Sequence, residues 1–477
     1  MTDRLELVRW FNAVEERSRP YDIRLDGAPI WPLLRVTSGY RHLLPEMASP
    51  KPVTRMGTIE RLSLVGKAMT QWASLIDRPA SPPLLFFSNR TYQSITGQGT
   101  VDKFAHPLMY AAATIERSSV LLVRDRPLNG AIVVPPRAQV KQIDAVLHVR
   151  DMWHWQKSRT PLRSIAQMGS VPDDLTAAFG EPVVRYLDKA IHNFRQHLAF
   201  ARHTLRRIRP SHVFVTCWYT VENMAMAHAC QETRIPCIDL QHGVQGPAHL
   251  AYGAWKALPT DGCSTIPSFF WCWDEASARN IRSWAPGGHH EAFVGGSPWL
   301  EQDDHEGTVA SASGEVVLYT LQPVDRPLPE ELATAIRNDP HGRHWVFRLH
   351  PNAPQHRELL TIWAEQAGII DRVSIEDPRV TPLQLSLRRA ALHITLFSSV
   401  ILEASYLGVP SIALHPNAAA LFPDLLNGPH LELASGMEHL VELLIKPSTT
   451  TRNMEAKRSV TQNLEELLRL SARHIQM

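Results

Sequence analysis

The feature of this sequence that most constrains its fold is a regular alternation of strand and helix patterns in the C-terminal half. Between residues 316 and 414, short apolar runs typical of buried strands alternate with longer runs in which apolar residues recur every three or four positions. The predicted strands are 316–321, 344–350, one beginning at Leu392, and 411–414, and the predicted helices are 329–337, 355–367, 381–389 and 400–407. Because such alternation builds a parallel sheet covered by helices, this half is predicted to be a Rossmann-like domain.

The N-terminal half shows the same alternation around one longer helix. Its strand candidates are 84–88, 120–123, 212–216, 235–240, 269–273 and 292–294. Residues 181–208 carry apolar side chains three or four positions apart and end at Pro210, which predicts a long amphipathic helix. A helix over 221–233 joins two strands in a unit whose length suits parallel pairing. A second Rossmann-like domain is therefore predicted.

A polar stretch separates the two halves. Residues 301–314 are rich in Asp, Glu, Ser, Gly and His and poor in apolar residues, which predicts a linker. A chain of 477 residues is also too long for one ordinary core. The predicted organisation is a helical N-terminal segment over 1–80, an N-terminal Rossmann-like domain over 81–300, the linker over 301–314, a C-terminal Rossmann-like domain over 315–450 and a C-terminal helix over 451–477. The last helix can pack on either domain.

Charge and cysteine content exclude several classes of protein. Lys and Arg number 49 against 47 Asp and Glu, so the net charge of +2 gives no general drive toward nucleic acid. The 5 cysteines show no CxxC pair and no zinc-ligand spacing, and their odd number disfavours a disulfide framework, which indicates a reducing, cytoplasmic setting. No window approaches the ~20 apolar residues of a membrane span. The basic, partly apolar segment 55–76 leaves two interpretations open: peripheral contact with the inner membrane, or a helix packed on its own domain.

Two motifs in the C-terminal domain suit a phosphate. Arg348, His350 and Pro351 end a strand, and Pro351 keeps His350 out of helical conformations and can begin the next helix. The alternative for His350 is a histidine that only satisfies a strand-end carbonyl. Ser398 and Ser399 follow the strand that begins at Leu392, where hydroxyls and first-turn N–H groups can bind phosphate oxygens.

One acidic residue accompanies the two serines. Glu403 lies about one turn into the following helix, where its carboxylate can reach ribose hydroxyls. The alternative for the serines is simple N-capping of the helix, which is common. Two such turns about 50 residues apart in one α/β unit favour the joint interpretation, a donor nucleotide and phosphate site.

The N-terminal domain offers a candidate base. His242 stands between Gln241 and Gly243 at a strand end, Gly243 permits a tight turn, and a near-neutral imidazole can take a proton from a sugar hydroxyl. Asp239, two residues before Gln241, is the reserve candidate for the base. The alternative is a histidine that only stabilises the core or the loop. The remaining candidates for the acceptor site are His249 and Tyr252 in the following loop and Gly296 and Ser297 after the strand 292–294.

A metal site is not predicted. His289 and His290 are adjacent, and neighbours on a strand point to opposite faces, so a solvent-exposed turn is the expectation there. No Asp-x-Asp motif accompanies a plausible diphosphate position, which favours a metal-independent mechanism. Trp271 and Trp273 share one strand face and are predicted to be core residues.

Several of these motifs together resemble bacterial GT-B glycosyltransferases of surface-polysaccharide assembly. The resemblance covers roughly residues 210–416, and the motifs that carry it are Pro-Cys-Ile-Asp-Leu-Gln-His-Gly at 236–243 with Pro247, His249 and Tyr252, Gly-Ser-Pro at 296–298, Arg-Leu-His-Pro at 348–351, and Ser398 with Ser399. They are similar to the capsule-synthesis group, which includes CMP-sialic acid and CMP-Kdo transferases, and to the CDP-glycerol glycerophosphotransferases. The chain lacks a clear acidic Asp/Glu-Asp/Glu-Gly base motif, which disfavours a sialic acid donor.

The resemblance implies both a fold and an activity. It implies the GT-B fold, two Rossmann-like domains facing a cleft, here with an extra helical N-terminal segment. His350, Ser398 and Ser399 would hold the nucleotide phosphate, and His242 would match the base. The expected enzyme is an inverting, metal-independent glycosyltransferase of cell-envelope and capsule polysaccharide biosynthesis.

The expected reaction moves a sugar or polyol-phosphate from a nucleotide-activated donor, CMP- or CDP-linked, to a cell-surface polysaccharide or lipid-linked acceptor. No cofactor is expected besides this co-substrate, and no nucleic acid partner. His242 would deprotonate the acceptor hydroxyl, while Arg348, His350 and the helix end at Ser398 and Ser399 would stabilise the leaving phosphate. Two alternatives stay open: a nucleotide-sugar 2-epimerase of the same fold, and a noncatalytic glycan-assembly partner.

Overall fold

The computed structural model consists of two compact units. Its described residues are 4–43, 57–75, 81–125, 127–128, 130–154, 169–301, 316–324, 326–329, 331–351, 353–426, 428–445 and 458–474. Unit 1 is Met1–Trp299 together with Arg458–Met477, and unit 2 is Leu300–Lys457. The predicted linker 301–314 lies outside the described residues except for Glu301.

Unit 1 is built on an open parallel sheet with helices. Its described strands are β1 (Arg24–Leu25), β2 (Ala28–Pro29), β3 (Leu84–Ser88), β4 (Gln93–Thr96), β5 (Gly99–Asp102), β6 (Ser119–Val123), β7 (Ala138–Gln142), β8 (His212–Thr216), β9 (Cys237–Leu240), β10 (Phe269–Cys272) and β11 (Glu291–Val294). Its helices before unit 2 are α1 (Arg4–Ser18), α2 (Trp31–Leu43), α3 (Thr58–Ser74), α4 (Ala105–Thr114), α5 (Asp144–His154), α6 (Val171–Phe179), α7 (Glu181–Ile208), α8 (Val221–Glu232) and α9 (Glu275–Trp284).

The strand order of this sheet reverses next to its first strand. Among the described residues the order is β11-β10-β9-β8-β3-β6-β7, and every neighbouring pair is parallel. The chain starts at β3, moves outward through β6 to β7, then returns to β8 on the other side of β3. This is the order of a Rossmann sheet with one added strand. Two small antiparallel pairs, β1 with β2 and β4 with β5, stand outside it.

Unit 2 repeats the Rossmann order. Its described strands are β12 (Val316–Thr320), β13 (His344–Arg348), β14 (Val373–Glu376), β15 (Leu392–Thr395), β16 (Ser411–Ala413) and β17 (Leu431–Leu433). Its described helices are α10 (Leu332–Arg337), α11 (His356–Gln366), α12 (Leu383–Arg389), α13 (Val400–Tyr406), α14 (Asn417–Leu421), α15 (Pro423–Leu426) and α16 (Met437–Ile445). The sheet order is β14-β13-β12-β15-β16-β17, again all parallel, and it reverses between β12 and β15.

The C-terminal helix α17 (Val460–His474) belongs to unit 1. Leu464 and Leu467 are buried in the same core cluster as Leu108 and Met109 of α4. Its polar contacts agree, because the Ser471 hydroxyl and His212 Nε2 lie 2.9 Å apart. Helix α17 therefore packs on the N-terminal Rossmann-like domain.

The N-terminal helices also pack into unit 1. Glu15 of α1 and Arg35 of α2 form an ion pair of 2.5 Å in which both side chains are fully buried. Arg35 Nη2 donates to the Ala254 carbonyl at 2.9 Å, and the Lys256 N–H donates to Glu15 at 2.5 Å. The guanidinium lies 4.0 Å from the Trp255 ring centre. These contacts tie the first two helices to the loop that follows β9.

The prediction of two Rossmann-like domains with extra N-terminal helices is confirmed, and α7 has the predicted bounds. Helix α11 begins at His356, one residue from the predicted start at 355, so Pro351 does not take the helix-start position that its ring permits; it lies in a turn that the Ala353 N–H closes on the His350 carbonyl at 2.9 Å. Strands β7, β14 and β17 were not predicted. They are sheet edges that are only partly buried, so they lack a continuous apolar run. Within the described residues, no helix combines the length and apolar character that a membrane crossing needs.

Candidate functional site

The loops at the two strand-order reversals define the candidate site in each unit. In an open parallel sheet, the connections leave in opposite directions on the two sides of the reversal, which opens a crevice beyond the carboxyl ends of the strands. In unit 1 these loops follow β3 and β8 and carry Tyr92 and Tyr219; the neighbouring strand β9 leads into His242. His242 therefore lies at the edge where ligands of such sheets bind.

His242 is half-buried and neutral. Its Nε2 atom lies 3.4 Å from the Tyr219 hydroxyl, and its Nδ1 atom is buried, so Nε2 is the ring nitrogen that a ligand could reach. Burial lowers the pKa of His242 to about 4, and the Leu240 backbone carbonyl acts in the opposite direction. At neutral pH the ring thus carries a free lone pair, which is the state that a general base requires.

Four aromatic side chains surround the His242 ring. The ring centres of Tyr92, Phe104, Tyr219 and Tyr252 lie 5.6, 6.4, 6.0 and 6.4 Å from it. Tyr252 is buried, whereas the first three are partly exposed. Sequence reasoning missed Tyr92, Phe104 and Tyr219, because they come from three different loops; the available signal for Tyr92 and Tyr219 was their place a few residues beyond a strand end.

Asp239 is enclosed beneath this surface. Its carboxyl is fully buried, Oδ2 bonds with the Tyr252 hydroxyl at 2.6 Å, and Oδ1 accepts from the Trp218 N–H at 3.0 Å. Burial raises the pKa of Asp239 to about 8, while the two hydrogen bonds act in the opposite direction. Since both oxygens are engaged inside the protein, the geometry favours a positioning role for Asp239: it fixes the loop after β8 and the Tyr252 side chain.

His249 has two sets of internal contacts. Its Nδ1 atom accepts from the Ala251 N–H at 3.1 Å and the Tyr252 N–H at 3.2 Å, so a neutral ring carries its proton on Nε2, which lies 3.0 Å from the Tyr40 hydroxyl. Burial lowers the pKa of His249 well below its usual value, and the charge of Arg4 adds to this. His249 therefore shapes the loop that carries Tyr252.

Gln241 is bonded on both ends of its buried amide. Nε2 donates to the Gly243 carbonyl and the Ser277 hydroxyl, each at 3.0 Å, and Oε1 accepts from the Trp273 N–H at 2.6 Å. Gln241 thus holds the turn in which His242 and Gly243 lie.

The turn after β11 is held in a similar way. The Gly296 carbonyl accepts from Trp271 Nε1 at 2.9 Å, Gly296 has a positive φ of 77°, and Ser297 is buried. A side chain at the preceding Gly295 would overlap the Trp271 ring. The two tryptophans predicted as core residues, Trp271 and Trp273, are both buried.

In unit 2 the two serines lie at the strand-order reversal. Ser398 and Ser399 follow β15, and the preceding Phe397 N–H donates to Gln322 Oε1 in the loop after β12 at 2.9 Å. Ser398 Oγ accepts from the Val400 N–H at 3.3 Å, whereas Ser399 is exposed and its side chain does not cap α13. The hydrogen bond to Gln322 therefore joins the two loops on either side of the reversal.

Arg348 ends β13 and is already paired. It is in register with Glu376 at the end of β14, and its Nη1 atom contacts both Glu376 and the Ser386 hydroxyl, the latter at 3.0 Å. Ser386 in turn donates to Glu376 at 2.5 Å. The sequence does not reveal this network, because the partly buried strand β14 lacks a continuous apolar run.

The other predicted donor residues lie at the same edge of unit 2. His350 is half-buried, and burial together with the nearby His356 lowers its pKa. Pro351 is exposed in its turn, and Glu403 is half-buried on α13. A neutral His350 can donate one hydrogen bond to a phosphate oxygen without adding charge.

Across the part of the chain that the structure describes, no group of three His, Cys, Asp or Glu side chains could hold a metal ion. His290 was expected in a solvent-exposed turn, and this is wrong. It is buried, its Nε2 atom accepts from the Cys263 N–H at 3.0 Å, and Nδ1 lies 2.7 Å from the Pro267 carbonyl. A buried ring that satisfies two backbone groups has a structural role.

Comparisons with known proteins give only distant structural similarity. No protein-family model matches the chain, and no curated protein sequence is significantly similar to it. A UDP-N-acetylglucosamine 2-epimerase structure aligns with 82% of this chain and 96% of its own length at 15% identity and a TM-score of 0.48. The UDP-GlcNAc 2-epimerase from Methanocaldococcus jannaschii aligns over 82% and 99% at 13% identity and a TM-score of 0.47. Alr3699/HepE from Anabaena, in complex with UDP, aligns over 83% and 97% at 12% identity and a TM-score of 0.41. Such values transfer neither an activity nor a residue role to this chain.

Proposed function

We propose that this chain is a glycosyltransferase of the GT-B type that moves a sugar or polyol-phosphate from a nucleotide-activated donor to a cell-surface polysaccharide or lipid-linked acceptor. One observation carries the proposal: in both Rossmann sheets, residues that the sequence singled out follow strands at or next to the strand-order reversal. Substrates and nucleotide phosphates bind at that place in open parallel sheets. Unit 1 supplies the acceptor half of the reaction, and unit 2 supplies the donor half.

In the acceptor half, Nε2 of His242 takes the proton of the attacking hydroxyl. With a sugar donor, the acceptor oxygen forms a bond to the anomeric carbon while the bond from that carbon to the phosphate oxygen breaks and its electron pair leaves with the nucleotide. With a CDP-linked polyol donor, the acceptor oxygen instead bonds to the distal phosphorus while the bond from that phosphorus to the bridging oxygen breaks and CMP leaves. An imidazole with a pKa of about 4 is a weak base, so it accepts the proton late, when the new bond has made the oxygen acidic. Attack opposite the leaving group inverts the configuration, and no step needs a metal ion.

In the donor half, His350, Ser398 and Ser399 hold the departing phosphate. Negative charge develops on that phosphate as the bond breaks, so hydrogen-bond donors placed around it lower the barrier. Arg348 forms an ion pair with Glu376, which fixes the strand end beside His350. The rest of its positive charge attracts the phosphate. Glu403 accepts hydrogen bonds from the ribose hydroxyls, and CMP- or CDP-linked donors are the first candidates.

Two measurements test this function. Calorimetry with CMP, CDP, UDP, GDP and dTDP is expected to give a micromolar dissociation constant for at least one nucleotide, weakened about tenfold in a Ser398→Ala/Ser399→Ala variant by loss of two hydrogen bonds. Incubation with the matching donor is expected to release nucleotide only when an acceptor is present. An altered donor sugar without acceptor would instead identify a 2-epimerase, and nucleotide binding without turnover would identify a noncatalytic partner.

We also propose peripheral contact with an anionic membrane through α3. One face of this helix packs on unit 1 through Ala68 and Gln71, but Ile59, Leu62 and Met69 form a stripe on another face with 83%, 68% and 69% of their surfaces exposed. Burying these side chains in a lipid surface would remove apolar area from water.

Vesicle co-sedimentation tests this contact. Binding to vesicles of anionic phospholipid is expected to fall in an Ile59→Asp/Leu62→Asp variant and to persist in Val380→Asp, which changes an exposed apolar residue of unit 2. Equal binding by both variants would refute the membrane contact.

A further inference from the structure

The partly exposed aromatic residues around His242 form a surface of defined chemistry. Tyr92 follows β3, Phe104 precedes α4, and Tyr219 follows β8, so three separate segments place rings within 6.4 Å of the imidazole, centre to centre. We call these three side chains the aromatic wall. Single exposed aromatic residues are ordinary, but three that converge on one reactive group mark a ligand surface.

Buried and partly buried rings pack against the aromatic wall and fix its side chains. The Tyr219 ring stacks on Tyr40 of α2 at 5.6 Å with an interplanar angle of 13°, and it meets His249 and Tyr252 edge to face at 5.2 and 5.7 Å. Tyr92 and Phe104 contact each other edge to face at 5.5 Å. Rings fixed in this way lose little freedom when a ligand binds, which favours affinity.

The polar groups at the wall suit one hydroxyl. His242 Nε2 and the Tyr219 oxygen are 3.4 Å apart, long for a hydrogen bond, so a ligand hydroxyl can donate to Nε2 and accept from the tyrosine. Burial keeps the pKa of Tyr219 well above its usual value, so its oxygen retains the proton that it would donate.

The described contacts of the His242 ring are to uncharged side chains. Its ring and hydrogen-bond partners are Tyr92, Phe104, Tyr219 and Tyr252, and its pKa is shifted by burial and the Leu240 backbone with no contribution from a charged side chain. A phosphate or carboxylate placed against the His242 ring would lose its hydration without gaining a cation from the described partners of that ring. The surface therefore suits a neutral ligand with one apolar face and one hydroxyl directed at His242.

We infer that the aromatic wall, Tyr92, Phe104 and Tyr219, binds an uncharged pyranose ring of the acceptor, so that the acceptor group is a sugar residue rather than a polyol-phosphate or a lipid phosphate. This inference rests on the proposed function, and it assigns the acceptor class that the function leaves open. The C–H face of the sugar packs on the rings while one hydroxyl reaches Nε2 of His242.

The test observes His242 directly and needs no donor. The full chain is labelled with ¹³C at Cε1 of histidine, the His242 signal is assigned with a His242→Gln variant, and it is titrated with methyl glycosides of glucose, galactose, mannose and N-acetylglucosamine, and with glycerol and glycerol 3-phosphate. At least one pyranoside is expected to shift the signal in a saturable way in the millimolar range. Glycerol and glycerol 3-phosphate are expected to need concentrations at least about tenfold higher, since they lack a ring face.

Variants separate the wall from the fold. Tyr92→Leu and Phe104→Leu are each expected to weaken the pyranoside about fivefold through loss of ring stacking, and Tyr219→Phe by a similar factor through loss of one hydrogen bond. Tyr110→Leu changes a partly exposed tyrosine on α4 that is not in contact with His242, and it is expected to leave binding unchanged. Thermal unfolding of every variant shows whether it is folded.

The outcomes are distinct from those of the proposed function. Glycerol 3-phosphate acting at the same concentration as the pyranosides, or no pyranoside shifting the His242 signal, would overturn the inference. Pyranoside binding by a chain that neither binds a nucleotide nor transfers a sugar would overturn the proposed function and leave the wall as a sugar-binding surface. Transfer to glycerol phosphate without pyranoside binding would overturn the inference about the aromatic wall and leave the proposed function standing.

Discussion

The buried ion pair between Glu15 and Arg35 is predicted to hold the N-terminal helices against the loop after β9. Replacing Arg35 with Met would leave the Glu15 carboxylate fully buried without its cation and would remove the hydrogen bond to the Ala254 carbonyl. Breaking a buried pair by removing one partner costs about 3–5 kcal/mol. Trp31 Nε1 donates to one Glu15 oxygen and the Lys256 N–H to the other, so Glu15→Gln keeps only one of these two acceptors. The double variant is still expected to cost less than the two single changes added together, because it leaves no buried charge without its partner.

The assay is urea unfolding combined with hydrogen exchange. Because the chain has two compact units, exchange in peptides from α1, α2 and residues 250–256 assigns the loss to unit 1. The double-mutant cycle is expected to give a coupling free energy of about 2–3 kcal/mol. A matched control is Arg202→Met, which breaks an ion pair with Glu232 whose side chains are each 34% exposed, and its expected cost is below about 1 kcal/mol. Equal losses of unfolding free energy in Arg35→Met and Arg202→Met, or strictly additive effects of the two single changes at Glu15 and Arg35, would refute the role of this buried ion pair.

Three further predictions follow from individual side chains. His242, the proposed base, is neutral above its pKa of about 4, so kcat/KM is expected to stay level as pH falls from 8 to about 5 and to drop near 4. A drop near the ordinary histidine pKa of about 6.5 would contradict this prediction. Burial lowers the pKa of His393 to about 3, so as pH falls below about 6.5 the residue is protonated in the unfolded chain but not in the folded one, and stability is lost between pH 6.5 and 3. At pH 5 the loss amounts to about 2 kcal/mol. His393→Gln is expected to flatten the pH dependence of the free energy of unfolding, measured by hydrogen exchange in unit 2. Gly295→Ala is expected to destabilise unit 1 by about 1–3 kcal/mol, because the added Cβ would overlap the Trp271 ring. Gly66→Ala places its Cβ in open space on a helix and is expected to stabilise the protein by about 0.5–1 kcal/mol. Equal losses of stability in both variants, measured by thermal unfolding, would contradict the packing argument.

The fold could be predicted where the signal is local. Helix α7 has the expected bounds because 28 residues of strong amphipathic periodicity leave little ambiguity, and the apolar runs at β3 and β8 mark buried central strands. The edge strands β7, β14 and β17 are only partly buried and carry no continuous apolar run, whereas the edge strand β11 is predicted from its short apolar run at 292–294. Helix α11 begins one residue from the predicted start at 355, and Pro351 lies in a turn before it, because a proline permits a helix start without requiring one.

The candidate site was predictable in part for the same reason. His242, His350 and the serines Ser398 and Ser399 follow strand ends, and a strand end can be recognised in a sequence. The aromatic wall depends on three loops that come together only in the folded chain, so its residues carry no combined signal. The pairing of Arg348 with Glu376 needed the register of a strand that had not been predicted.

The most direct test of the proposed function is acceptor-dependent release of nucleotide from its activated donor, compared between the wild-type chain and His242→Gln. Loss of a general base is expected to lower kcat by about 10²–10⁴-fold, while the dissociation constant of the nucleotide is expected to stay unchanged because the residues proposed to bind it lie in unit 2. Transfer by His242→Gln at the wild-type rate would contradict the assignment of the base. An absence of acceptor-dependent release with every nucleotide-activated donor would contradict the proposed function itself.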